Sequence, residues 1–275
     1  MTEKFEWEGR AGRSWADEWR RTDRSFSALT RQLLDAAAAR PHSRVLDIGC
    51  GAGEISLALA SRRPDTQVVG VDVSAELLAV ARSRSENAAN VAFETGDAAQ
   101  WSRAGFAPDL LVSRHGVMFF ADPVAAFTHL AEIAAPNANL VFSCFRSAAE
   151  NTWASGLASL SPGGAGAPPP PGQPGPFAFA DPDYVRDILT RASWRDPTFE
   201  PVDFPYIAGE GSDPVEDALS YFLVIGPAAR AAAQMDPPTR EDYIARLRAF
   251  LAERVEDGRI AFGGAAWLVR AQAPA

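Results

Sequence analysis

The chain of 275 residues has only two cysteines, Cys50 and Cys144, and three histidines. Neither cysteine stands in a C-x-x-C pair or at ligand spacing from a histidine, which excludes a disulfide framework and a cysteine-based metal site. Reduced thiols in a cytoplasmic protein are the expectation, and no metal is expected. Positive charge is also short: 26 Lys and Arg against 35 Asp and Glu leave a net charge of −9. A protein that grips DNA or RNA needs cationic surface for phosphates, so the balance argues against nucleic acid and against an anionic membrane surface. No apolar run reaches the roughly 18 residues of a membrane span, and the first residues are charged and lack an apolar signal core. There is no G-x-S-x-G and no Ser/His/Asp nucleophile signature.

Glycine is placed with purpose in residues 45–53, Val-Leu-Asp-Ile-Gly-Cys-Gly-Ala-Gly. An apolar strand runs into Asp47 and then into Gly49, Gly51 and Gly53. Such glycines allow a sharp turn and let a ligand lie against the main chain. Residues 54–62 read as a helix. Strand, glycine turn and helix N-terminus together are where a nucleoside-bearing ligand docks in a doubly wound α/β sheet.

The pattern discriminates among ligands. A dinucleotide fingerprint requires a glycine at the sixth position, but Glu54 stands there counting from Gly49, and Ser56 counting from Gly51. A Walker loop requires a Gly-Lys pair, which is absent. Glu54 at the helix start would also repel a pyrophosphate. A nicotinamide oxidoreductase is disfavoured on the same ground. Residues 67–74 form a second apolar strand ending at Asp72, about where a βαβ unit presents a carboxylate to ribose hydroxyls, with Val73 beside it. Ser74 offers an N-cap to a helix over 75–84. A third strand over 91–95 leads to Gly96-Asp97-Ala98, and a fourth over 109–113 ends in Ser113-Arg114-His115.

Asp47-Ile48-Gly49-Cys50-Gly51-Ala52-Gly53 resembles motif I of the class I S-adenosylmethionine-dependent methyltransferases, whose cofactor is cationic and carries no phosphate. The likeness covers roughly residues 40–145. Residues 113–123 and 174–182 are broadly similar to a bacterial small-molecule subgroup that includes ubiquinone/menaquinone-biosynthesis-type enzymes. The resemblance implies a Rossmann-like doubly wound seven-stranded sheet, an N-terminal helical cap over 1–40, a cofactor-binding core over 41–145, and a closing antiparallel hairpin. Residues 146–180 are expected to hold a Pro/Gly-rich loop, lid or linker at 161–176. The rest, 181–275, should complete the sheet, with helices over 213–257 inserted as substrate cover.

The resemblance also implies roles. S-adenosylmethionine would lie against Gly49, Gly51 and Gly53, with Asp47 holding the turn or the cofactor's amino group. Asp72 and Val73 would meet the ribose, and Asp97 and Ala98 the adenine. Ser113 and Arg114 fall at the reacting end. Arg114 suits the cofactor's carboxylate or pairs with Asp109 or Asp122; Arg20 competes for that role, and Trp19 would cover the sulfonium. His115 is the candidate base. The aromatic character of Phe119, Trp153 and Tyr221, with Asn151, points to a small hydrophobic or aromatic acceptor. S-adenosylhomocysteine would be the product. A regulatory, non-catalytic protein on the same fold is the alternative, and either a monomer or a homodimer is compatible.

Overall fold

The computed structural model describes residues 7, 9–161 and 172–275. Five parallel strands form the frame: β1 (Arg44–Ile48), β2 (Gln67–Asp72), β3 (Val91–Thr95), β4 (Leu110–Arg114) and β5 (Asn139–Phe145). Val45, Leu46, Val68, Val69, Leu111 and Val112 are fully buried, as strands covered on both faces require. A long antiparallel pair, β6 (Arg195–Glu210) and β8 (Arg259–Gln272), closes the sheet, and β7 (Val255–Glu256) is a two-residue addition to β8. The strand order is 3-2-1-4-5-8-6. The order reverses between β1 and β4, and in such sheets the ligand crevice opens there, beyond the carboxyl ends of the strands.

The helices begin where the local chemistry directs. In chain order they are α1 (Arg10–Asp17), α2 (Trp19–Ala38), α3 (Glu54–Arg62), α4 (Ala75–Arg84), α5 (Pro123–Ile133), α6 (Thr152–Ser159), α7 (Pro182–Arg191), α8 (Pro214–Phe222), α9 (Gly226–Ala233) and α10 (Pro237–Ala252). Ser74 caps α4 by accepting from the Leu77 N–H. Four helices start on an Asp-Pro pair, at Asp122, Asp181, Asp213 and Asp236, and each aspartate accepts a backbone N–H of the first turn. The carboxylate fills an orphan donor and the following proline presets φ while giving up an N–H that has no partner anyway.

Helices α8, α9 and α10 lie between β6 and β8 in the chain. No helix among the described residues is long and apolar enough to cross a membrane. Of the Pro/Gly stretch 161–176, residues 162–171 lie outside the described residues. Beyond them, the Gly175 N–H donates to the Met118 carbonyl. His42, which precedes the first strand and reads as a surface residue, is instead buried, with Nδ1 against the Arg40 carbonyl.

Asn151 is a correction. Sequence position suggests a substrate reader, but its side chain is fully buried. Its amide donates to the Ala265 and Ser147 carbonyls at 3.0 Å each, and its Oδ1 accepts from the Ala265 N–H at 2.9 Å and from Trp153 Nε1 at 3.3 Å. It fastens the start of α6 to β8, and no donor or acceptor remains for a ligand. Asn151→Ala should therefore lower stability by about 2–4 kcal/mol, since several buried backbone groups lose partners. Urea unfolding measures this, and a loss below 1 kcal/mol would contradict the fastening role.

Candidate functional site

The glycine turn leaves β1 with three left-handed residues, at φ 64° for Gly49, 54° for Gly51 and 84° for Gly53. The three have different reasons to be glycine. A Cβ on Gly49 would stand 2.9 Å from the Gly116 Cα, and one on Gly53 would stand 2.8 Å from the Phe93 ring. A Cβ on Gly51 would meet nothing within 4 Å among the described residues, so Gly51 presents bare backbone to the cavity. Gly53 serves packing between α3 and β3 and is absent from the cavity wall.

Acids from consecutive strand ends surround this turn. Asp72 is held by two backbone donors, Gly51 N–H at 2.9 Å and Ser74 N–H at 2.8 Å, one on each oxygen. Burial pushes its carboxyl up. Each oxygen keeps a lone pair, enough to accept from a ligand hydroxyl. Asp47 is buried and its Oδ2 accepts from Ser56 Oγ at 2.5 Å, while its Oδ1 has no hydrogen-bond partner among the described residues. Burial raises its pKa to about 6 against the lowering hydrogen bond from Ser56. Asp97 accepts the Ala99 N–H at 3.0 Å and lines the cavity with Ala98.

Arg114, at the end of β4, donates to Thr30 Oγ1 at 2.7 Å and to Glu54, and lies 3.7 Å from Asp23. Asp23 also pairs with Arg84 at 2.8 Å. Glu54 is pushed to about 7 by burial, opposed by Arg114. Neither of the partners suggested by sequence takes part: Asp109 accepts from the Ser43 and Arg44 N–H groups, and Asp122 caps α5.

These groups border one cavity of about 1840 Å³ that runs from α1 and the glycine turn to α9. Beyond the acids its wall becomes aromatic. His115 occupies a left-handed backbone position at φ 69° and stacks on Phe145, with ring centroids 4.0 Å apart and planes at 17°. It is 8% exposed, and neither ring nitrogen has a partner among the described residues. Burial first, then the Arg114 charge, lowers its pKa to about 3. The imidazole is thus neutral at physiological pH, with an acceptor nitrogen to offer. No group of three or more His, Cys, Asp or Glu among the described residues is arranged to hold a metal.

Residues 39–161 match the model of the methyltransferase domain family. Over this segment the chain is similar to methyltransferase domains. A trans-aconitate 2-methyltransferase of Variovorax paradoxus is 36% identical over 118 residues, which cover 43% of this chain and 42% of that protein. A demethylmenaquinone methyltransferase of Thermus thermophilus is 33% identical over 112 residues, covering 40% and 51% respectively. The similarity thus spans about half of these relatives or less. The structure of a Haemonchus contortus phosphoethanolamine N-methyltransferase 2, in complex with phosphomonomethylethanolamine and S-adenosylhomocysteine, superposes with a TM-score of 0.54. It is 17% identical and covers 95% of this chain and 57% of that one. The architecture is the class I methyltransferase fold.

The structure brings Asp47, Gly49, Gly51, Asp72, Val73, Asp97, Ala98, Arg114, His115 and Phe119 to the same cavity, with Trp19 from α2 and Trp153 from α6. It excludes others. Ser113 is fully buried below the floor, where its Oγ donates to the Ile48 carbonyl at 2.7 Å and accepts the Gly116 N–H at 3.1 Å. Arg20 lies over the Trp19 ring at 4.3 Å and is absent from the wall. Arg84 lies over that ring too, at 3.9 Å, so two guanidinium groups already use its π-surface. Tyr221 is fully buried, its hydroxyl 3.3 Å from Thr22 Oγ1 and 3.5 Å from the Tyr206 hydroxyl. Tyr206 and Phe145, which sequence does not single out, take the places on the wall. The one available signal was the alternation of Val202, Phe204 and Tyr206 along β6.

Two outcomes follow from this geometry. Gly53→Ala should destabilise more than Gly51→Ala, because both pay the left-handed penalty of roughly 1–2 kcal/mol but only the first also meets Phe93; equal losses in urea unfolding would contradict the distinction. Asp47, whose folded pKa is raised, contributes stability that is fully present below its unfolded value of 3.8 and is lost as pH rises through about 6. Asp47→Asn should therefore exceed the wild type in stability at pH 8 and approach it at pH 4, and a pH-independent difference would exclude desolvation as the cause.

Proposed function

We propose that this protein transfers a methyl group from S-adenosylmethionine to a small, largely apolar acceptor and releases S-adenosylhomocysteine. The observation that carries the reading is the trio Asp47, Asp72 and Asp97 around the bare backbone of Gly51, which suits a cationic nucleoside and repels a phosphate. The residues present fit that ligand. Asp47 Oδ1, which has no partner among the described residues, and the turn backbone take the ammonium group, the remaining lone pairs of Asp72 take the ribose hydroxyls, and Asp97 with Ala98 takes the adenine edge. Arg114 reaches the ligand's carboxylate once Glu54 yields part of its hold, with Glu54 then favoured in its protonated form.

When bound, the sulfonium supplies a methyl carbon activated for in-line displacement. The protein's own part is to align, to exclude water and to take a proton. His115 stands where the proton would leave. Helix α1 contributes Arg10, Arg13 and Ser14 to one end of the cavity and α9 contributes Ala229 and Ala233 to the other, so both helical segments act as covers. The aromatic end extends the cavity well beyond a nucleoside's needs, which favours transfer over a purely regulatory role.

Calorimetric titration with S-adenosylhomocysteine, with NAD as control, tests the reading: micromolar binding of the first and none of the second is expected. Asp72→Ala should weaken that binding more than tenfold. Gly51→Ala should stay folded and also bind weakly, because its new methyl projects into the cavity. Wild-type affinity in either folded variant would reject the assigned contacts.

A further inference from the structure

We infer that the acceptor is an uncharged, flat ring system bearing one O–H group, seated in the aromatic end of the cavity with that O–H donated to His115. The inference rests on the methyl-transfer reading above and names its second substrate by class.

The chamber is built from rings. His115 stacks on Phe145, and Phe145 lies 5.4 Å from Trp153. Trp153 stacks on Tyr206 at 5.4 Å and 20°, and Tyr206 parallels Phe222 at 6.4 Å and 7°. Phe26 closes the gap between His115 and Tyr206, at 5.2 and 5.3 Å. All six border the cavity and all are buried. Such walls favour a flat apolar body through offset and edge contacts.

Charge is kept at the margins. Arg114 lies over the Phe26 face, 5.2 Å from its centroid, and is already engaged by Glu54 and Asp23. Arg230 enters the cavity wall from α9. A polycarboxylate would lose its hydration here without a matching set of cations, and buried charge is costly unless paired. The acceptor named for the trans-aconitate relative is therefore a poor fit to this chamber.

The second observation is the imidazole itself. A buried polar group without a partner costs stability and calls for explanation, and both His115 nitrogens, at the junction of chamber and acids, lack a partner among the described residues. A ring O–H satisfies the acceptor nitrogen of the neutral imidazole; the same ring without O–H leaves that nitrogen unsatisfied. The chemistry balances. The acceptor oxygen's lone pair forms the new O–C bond, the C–S bond breaks with its pair going to sulfur, and the O–H proton passes to His115 and then to solvent. A nitrogen of pKa about 3 does not ionise a resting phenol, but it accepts the proton once the oxygen turns strongly acidic as the O–C bond forms.

The test uses the full chain saturated with S-adenosylhomocysteine and equilibrium dialysis of 2-naphthol, naphthalene, 2-naphthoate and trans-aconitate. 2-Naphthol should bind at least tenfold tighter than naphthalene and 2-naphthoate, and trans-aconitate should not bind. His115→Leu should erase the advantage of 2-naphthol over naphthalene, and His115→Asn, which tolerates the left-handed backbone and keeps an acceptor oxygen, should retain part of it. Equal binding of 2-naphthol and naphthalene to the wild type would overturn the inference, as would tighter binding of either carboxylate; this comparison needs no variant to fold. If 2-naphthol is favoured while S-adenosylhomocysteine itself fails to bind, the chamber assignment stands and the methyl-donor reading falls.

Discussion

Two turns leave the sheet side by side, one after β1 and one after β4, and they pack main chain against main chain. A Cβ on Gly49 would stand 2.9 Å from the Gly116 Cα, and one on Gly116 would stand 2.6 Å from the Ile48 carbonyl. Ser113 bridges them from below, bonded to the Ile48 carbonyl and to the Gly116 N–H. This backbone-to-backbone contact sets the distance between the glycine turn and His115. Because neither turn can shift without a steric clash or an orphaned buried hydrogen bond, the acid-lined and aromatic ends of the cavity are held in fixed relation.

Around that contact the cavity separates two kinds of surroundings. On one side, Asp47, Asp72 and Asp97 hold a concentration of buried or half-buried carboxyl groups, with Asp47 and Asp72 raised by desolvation and therefore readily compensated by a cation. On the other side the rings of Phe145, Trp153, Tyr206 and Phe222 offer no charge at all. Arg114 sits on the boundary, and its pairing with Glu54 and Asp23 keeps its charge directed toward the acid side. The same guanidinium contributes to keeping His115 neutral. One arginine thus influences both ends without being free at either.

The elements around the crevice come from distant parts of the chain and contact one another. Trp7 contacts both Trp15 of the N-terminal segment and Phe119 of the turn after β4. Arg24 of α2 bonds Asp217 of α8 at 2.7 Å, and Ser25 donates to the Ile207 carbonyl of β6 at 2.8 Å. The N-terminal helices are therefore tied to the elements flanking the aromatic end of the cavity as well as to the turn after β4.

What the sequence determined by itself is what local chemistry dictates. Apolar runs flanked by turns located β1 to β4 within a residue or so, because a parallel strand covered on both faces reads as a continuous apolar run. The spacing Asp47 to Gly53, then Asp72 and Asp97, located one end of the cavity, because each residue stands at the carboxyl end of a successive strand and the parallel topology brings such ends together. Tertiary structure decided the rest. Asn151, Tyr221 and Ser113 are polar residues in plausible segments, and only the approach of β8, Thr22 and Ile48 shows that their hydrogen bonds are already committed inside the protein. Tyr206 and Phe145 became cavity walls because long-range pairing with β8 sets their strands' register, and a single-residue slip would have turned them away. Arg114 chose Glu54 and Asp23 over the acids nearer in sequence because α2 crosses above β4. Partner choice depends on which elements pack, and periodicity along a chain does not carry that information.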